Sequence, residues 1–364
     1  MFDFGQLKSQ ARQLLLFRNI IPLSRLLVDA LFLPFEYLGH SGKAGFPWAI
    51  NLLVTSRCNL HCEMCHFKAS AIHSADSELS LDDIRIFIKD ISKRKSHIFL
   101  SGGEPFLRED IFEIIGAINK SGLTWGICTN GTLLDENKIK ELVGTEPSFM
   151  IFSLHGNKEI HDKITGIQGS FEKLYKNINT VSLTKIRTKI IINCTLTKSN
   201  LKRLKEVAEI AEELRVDALR FEHLNFLTMP EKARHLRVCG GDIKLSSYFG
   251  DAGDYGDYYN SVIKMQKIKD EFKIPISFKP YLRDAELKSW YSDIFNTNRK
   301  CFFIWRSLFI YPNGDITPCQ FLIYKMGNIK TDSLESIWNS AQYSILRLKL
   351  RKGLLPGCAR CCKL

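Results

Sequence analysis

No apolar run near the start of this 364-residue chain approaches the ~20 residues that a bilayer-crossing helix needs. No small-residue cleavage site follows a clean apolar core there, so a secretory signal is not expected. No stretch interleaves aromatic and basic residues as nucleic-acid-binding motifs do, and nucleic acid is not an expected partner. Acidic residues are in the minority: 39 Asp and Glu against 51 Lys and Arg, a formal charge of +12. That balance favours anionic partners, either a substrate or acidic lipid headgroups. Eleven cysteines without a secretory signal point to a reducing compartment and to metal binding rather than disulfides. The expected location is cytoplasmic, or peripheral at the inner face of a membrane.

What is present divides into four stretches. Residues 1–46 hold dense leucines and phenylalanines beside Lys8, Arg12, Arg18 and Arg25. They read as two short helices broken near Pro22, followed by a Gly-rich linker over 39–45. Such helices either pack on the domain that follows or lie in a membrane interface. Residues 47–228 alternate strand and helix patterns. Strands are expected over 49–55, 97–100, 124–128, 149–154, 188–196 and 218–224, with helices between them. Six such repeats imply an α/β fold with a parallel sheet and outer helices, a partial (β/α)6 TIM-like barrel. In barrels of this kind the chemistry sits at the carboxyl ends of the strands. Residues 229–300 read as an irregular bridging region and lid, with Cys239 as an incidental thiol. Residues 301–364 form a small hairpin-plus-helix domain, turning at Pro312-Asn313-Gly314-Asp315.

The densest chemistry follows the first strand. Cys58, Cys62 and Cys65 stand in C-x3-C-x2-C spacing. Three thiolates on one short loop can hold three irons of a 4Fe–4S cube and leave the fourth iron open. A zinc site and buried structural cysteines are the alternatives. The second strand runs into Ser101-Gly102-Gly103-Glu104-Pro105. Paired glycines let backbone approach a ligand, and Glu104 offers a carboxylate to an ammonium group. A second set of thiols, Cys301, Cys319, Cys358, Cys361 and Cys362, lies in the last stretch. A zinc ribbon is the alternative use of four thiolates there.

The order C-x3-C-x2-C, G-G-E-P, T-N-G (129–131), S-L-H-G (153–156) and G-S-F (169–171) resembles the radical SAM enzymes. The terminal C-x12-G-x4-C, G-N-I and C-x2-C resembles their SPASM/twitch extension. The resemblance covers about residue 47 to residue 364. It implies a 4Fe–4S cluster on Cys58, Cys62 and Cys65 that binds S-adenosylmethionine (SAM) and cleaves it to a 5′-deoxyadenosyl radical. It places Gly102, Gly103 and Glu104 at the SAM amino group. Ser153 and Asn193 would contact the ribose or carboxylate. Met64 stands where an aromatic residue usually covers the adenine, and Lys163 where an arginine often stands. The extension implies an auxiliary 4Fe–4S cluster on Cys301, Cys319, Cys358 and Cys361, with Cys362 as the alternative to Cys361. Five cysteines suffice for one cluster, which makes this a shortened, twitch-like version.

His155 and His161 are read first as structural. No substrate-side acid or base is assigned. The expected partners are an external one-electron reductant such as flavodoxin or ferredoxin, and a small-molecule or lipid-linked substrate, which the basic amphipathic N-terminus suits. A peptide substrate is the alternative. A non-catalytic iron–sulfur or zinc protein is the alternative of another class.

Overall fold

The computed structural model describes residues 33–65, 78–184, 187–241, 243–245, 248–249, 255–292 and 294–364. Strands β1 (Ala49–Thr55), β2 (His97–Gly102), β3 (Trp125–Thr129), β4 (Phe149–Ser153), β5 (Lys189–Thr195) and β6 (Ala218–Glu222) pair in chain order, all parallel. Helices α1 (Leu81–Ile91), α2 (Ile111–Lys120), α3 (Glu136–Gly144), α4 (Lys158–Thr165), α5 (Ser170–Ser182) and α6 (Leu204–Glu213) make the crossovers. α1 starts where the sequence places it. The Ser80 hydroxyl accepts from the Asp83 amide, and Asp83 accepts in return from the Ser80 amide. This reciprocal cap satisfies two amides that the first turn leaves free.

The sheet is longer than six strands. β7 (Ile276–Lys279) adds in parallel beside β6, with Lys279 opposite Glu222. On the other side β8 (Ser307–Ile310) runs parallel to β1, and β9 (Asp315–Thr317) and β10 (Gly327–Asn328) follow antiparallel. The order is β7-β6-β5-β4-β3-β2-β1-β8-β9-β10, an open barrel wall. β7 falls in the stretch expected to be irregular. It is four residues long and sits between Pro275 and Pro280, which read as strand breakers. As the last barrel strand at an open edge, it tolerates them. The C-terminal hairpin likewise continues the barrel sheet.

Period-two alternation gives the wall two different faces. Ile50, Leu52, Val54, Ile98, Leu100, Met150, Phe152, Ile190 and Ile192 are buried among the outer helices. The inner face carries a second apolar cluster, built from Phe149, Ile151, Ile191 and Ala218 with Trp48, Phe99 and Cys128. This cluster floors the barrel. One step further along the same face come Ser153, Asn193, Arg220, Glu222 and Lys279. Polarity therefore rises toward the carboxyl ends of the strands, where the cysteine loop begins.

The segment before β1 is fastened to the end of the chain, through α8 (Leu334–Trp338) and α9 (Ala341–Lys352), named here after α7 (Met229–Cys239). The Ala44 amide donates to Asn339 Oδ1 at 3.0 Å, and Asn339 Nδ2 returns a bond to the Ala44 carbonyl at 2.9 Å. Trp338 Nε1 donates to the Gly45 carbonyl, and Arg347 to that of Gly42. The Tyr37 ring lies 4.9 Å from Phe302 and 5.5 Å from Trp305. The expected linker is thus a strap over the C-terminal helices. The amphipathic pair expected before it, and any membrane contact through that pair, lie outside the described residues.

Candidate active site and auxiliary cysteines

The loop from β1 to Cys65 is held from three sides. The His61 amide donates to the Thr165 carbonyl at 2.7 Å, and the Glu63 amide to that of Ile164 at 2.9 Å, which hangs the loop on the end of α4. Asn59 Nδ2 donates to Thr132 Oγ1, and Asn130 Nδ2 donates to Asn59 Oδ1, both at 2.9 Å. The Gly103 and Glu104 amides donate to the Thr55 and Arg57 carbonyls at 2.8 Å. Cys58 is exposed, and Cys62, Met64 and Cys65 are half-buried. The Leu60 amide lies 3.5 Å from Cys58 Sγ and Asn130 Nδ2 lies 3.9 Å from it, so donors already face that sulfur.

The two glycines serve this packing first. Gly102 has φ +144°, and a Cβ there would overlap the Thr55 carbonyl. A Cβ at Gly103 would overlap the Arg57 carbonyl. The close approach read from the sequence is therefore an approach to the backbone of the cysteine loop. Glu104 is fully buried. Its Oε1 accepts from Thr129 Oγ1 (2.7 Å) and the Phe106 amide (3.2 Å), and its Oε2 from the Asn130 amide (2.7 Å). Burial pushes its carboxyl up to about 7 against these three donors. A carboxylate accepts about four bonds, so one position stays open to an ammonium group. The T-N-G turn is the clamp between Glu104 and the cysteine loop.

Ser153 and Asn193 sit opposite each other on β4 and β5. The Ser153 side chain is hydrogen-bonded with Cys128, whose thiol burial pushes up to about 12. Asn193 is bonded to Glu222, while its Oδ1 is buried with no partner among the described residues. An orphaned acceptor at the barrel mouth is what a ribose hydroxyl would satisfy. His155 and His161 are structural. Burial lowers their imidazoles to about 3 and about 4. Each Nδ1 accepts a backbone amide, from Thr195 and from His155 respectively.

The five C-terminal cysteines converge. Cys358 and Cys361 each feel the charges of Cys319 and Cys301, and Cys361 is hydrogen-bonded to Cys362. The Leu322 amide donates to Cys319 Sγ at 3.3 Å, and the Lys363 amide to Cys361 Sγ at 3.4 Å. Cys362 lies between this group and the mouth, near Glu222 and Lys279. Cys239, read as incidental, is near Cys358 and 3.8 Å from His235 Nδ1. Among the described residues, no group of three or more Cys, His, Asp or Glu stands in metal-ligating geometry. The donor chemistry nonetheless fits iron–sulfur clusters: one thiol set on a single loop and a second drawn from three segments, with amides directed at sulfurs of both.

An open parallel barrel with thiols at its mouth, and a second thiol set beside it, defines an α/β-barrel enzyme of the iron–sulfur class. The family model of the radical SAM superfamily matches residues 52–211, and that of the SPASM iron–sulfur cluster-binding domain matches residues 301–362. The chain belongs to the radical SAM superfamily. It is an enzyme, and its cofactors are SAM, a 4Fe–4S cluster and auxiliary iron–sulfur centres. The reading as a non-catalytic metal protein is thereby set aside.

Among its relatives, an AdoMet-dependent heme synthase of Methanosarcina barkeri is 28% identical over 302 residues, covering 79% of this chain and 81% of that one. A tungsten-containing aldehyde ferredoxin oxidoreductase cofactor-modifying protein of Pyrococcus furiosus is 29% identical over 338 residues, covering 85% and 86%. The fold resembles that of Streptococcus suis SuiB bound to S-adenosylmethionine, with TM-score 0.62, 16% identity and coverage of 90% and 73%. No helix among the described residues is long and apolar enough to cross a membrane.

Proposed function

We propose that this enzyme abstracts a hydrogen atom from a small or lipid-linked metabolite seated on the inner face of the barrel. When bound, the cluster and SAM supply reductive cleavage to a 5′-deoxyadenosyl radical. The chain's own residues do the rest. Cys58, Cys62 and Cys65 hold the cluster. Gly102, Gly103 and Glu104 receive the SAM ammonium, Ser153 and Asn193 its ribose or carboxylate, and Met64 covers the adenine. Cys301, Cys319, Cys358 and Cys361 hold the auxiliary cluster, while Cys362 faces the mouth. The apolar floor excludes water from the radical's path. Flavodoxin or ferredoxin is the proposed reductant, and residues 1–38 the proposed contact with a membrane's inner face.

The observation that carries this reading is the inner face itself. An apolar floor topped by a polar, charged rim suits a compact amphiphilic molecule. The relatives named for heme synthesis and cofactor modification align along most of their lengths, which supports the same choice. The test is to add fractionated cell extract to reduced holoprotein and SAM, and to follow 5′-deoxyadenosine. Acceleration by a small-molecule or lipid fraction is expected. Acceleration by a peptide fraction alone would favour peptide modification instead.

A further inference from the structure

The open edge of the barrel mouth carries more positive charge than the proposed cofactor contacts use. Arg220 and Glu222 lie on the inner face of β6. Asn193 pairs with Arg220 from β5, and Lys279 pairs with Glu222 from β7. Lys363, next to the chain end, is close enough to Glu222 and Arg220 for its charge to act on both. Arg220 is buried, while Glu222, Lys279 and Lys363 are half-buried, and the Lys363 ammonium lies 5.8 Å from the centre of the Phe303 ring. Three cations here face one carboxylate.

We propose that Arg220, Lys279 and Lys363 form the binding site for an anionic group, a carboxylate or a phosphate, of the substrate. This rests on the proposed hydrogen abstraction from a metabolite and names one part of its substrate. Placement supports it. The cations stand beside Asn193, whose buried Oδ1 has no partner among the described residues, so an anion held there keeps the rest of the molecule next to the bound SAM. The chemistry supports it too. Cations at close quarters repel one another, and the single carboxylate of Glu222 offsets only part of that repulsion. Arg220 offers a planar fork to either anion, and the lysines add point charge.

The test uses holoprotein with its clusters reconstituted and SAM bound, titrated calorimetrically with succinate and with inorganic phosphate. Saturable binding of at least one is expected, and the tighter of the two identifies the anion. Lys279→Met and Arg220→Met should each weaken it about tenfold, the worth of one charge-assisted bond. Glu222→Gln removes the competing carboxylate and should tighten it severalfold, which keeps the test decisive if a cation variant misfolds. Absence of binding to the unaltered protein, or equal affinity in all variants, would overturn the proposal. So would a parallel loss of SAM affinity, which would give these cations to the cofactor. Absence of SAM cleavage in the unaltered protein would instead refute the proposed function, whatever the anion titrations read.

Discussion

Glu104 holds the fold together at the mouth, and the proposed function gives the same side chain a contact to the cofactor. Its carboxylate accepts from Thr129, Phe106 and Asn130 in full burial. Replacing it with alanine strands those donors, at roughly 1–3 kcal/mol for an unsatisfied buried group. Glu104→Ala is expected to lower the unfolding midpoint as well as SAM affinity. Unchanged stability would contradict the buried contacts. Burial raises this carboxyl from 4.5 to about 7. The folded chain therefore holds a proton that the unfolded chain has lost between those values. Its contribution to stability is full below 4.5 and is lost as pH rises through about 7. Apoprotein melts across that window should show the decline, and Glu104→Gln should flatten it. Asn193→Ala should behave differently. Its Oδ1 has no partner among the described residues, so SAM affinity should fall about tenfold, and the loss of its bond to Glu222 should cost only about 1 kcal/mol of stability. A large loss of stability with full SAM affinity would make Asn193 structural. The spacing of Cys58, Cys62 and Cys65 and the G-G-E-P motif were legible because they are local. The clamp by Asn130 was not, since it joins residues about seventy positions apart.

At the scale of elements, the six central strands and the hairpin were legible from apolar periodicity and turn residues. β7 was hidden by its flanking prolines. The extension of the sheet through β8 depends on pairing between ends of the chain, which no local pattern reports. Gly102 and Gly103 link this scale to the chemistry, because β2 can end against the cysteine loop only without side chains there. In Gly103→Ala the new Cβ meets the Arg57 backbone, which cannot swing aside like a side chain. Iron incorporation at the first cluster is expected to fall while the circular dichroism of the barrel persists. Gly116→Ala in α2 is the control, since no described residue lies within 4 Å of a Cβ there. It should stabilise by about 0.5–1 kcal/mol. Equal iron loading in both variants would show that the loop does not need the close approach.

For the whole molecule, the charged rim was the least legible feature. Arg220, Glu222 and Lys279 become one site only when β7 joins β6, and Lys363 reaches them only because the chain end folds over the mouth. The net charge of +12 indicated an anionic partner but not where it binds. The central claim is that Cys58, Cys62 and Cys65 carry the cluster that cleaves SAM, apart from the C-terminal thiols. The most direct measurement is iron content together with 5′-deoxyadenosine formation in anaerobically reconstituted, reduced protein. Two four-iron clusters, about eight irons per chain, and 5′-deoxyadenosine are expected from the unaltered chain. The Cys58→Ala, Cys62→Ala, Cys65→Ala triple variant should keep about four irons and form none. Full iron loading with continued 5′-deoxyadenosine formation in that variant would contradict the assignment.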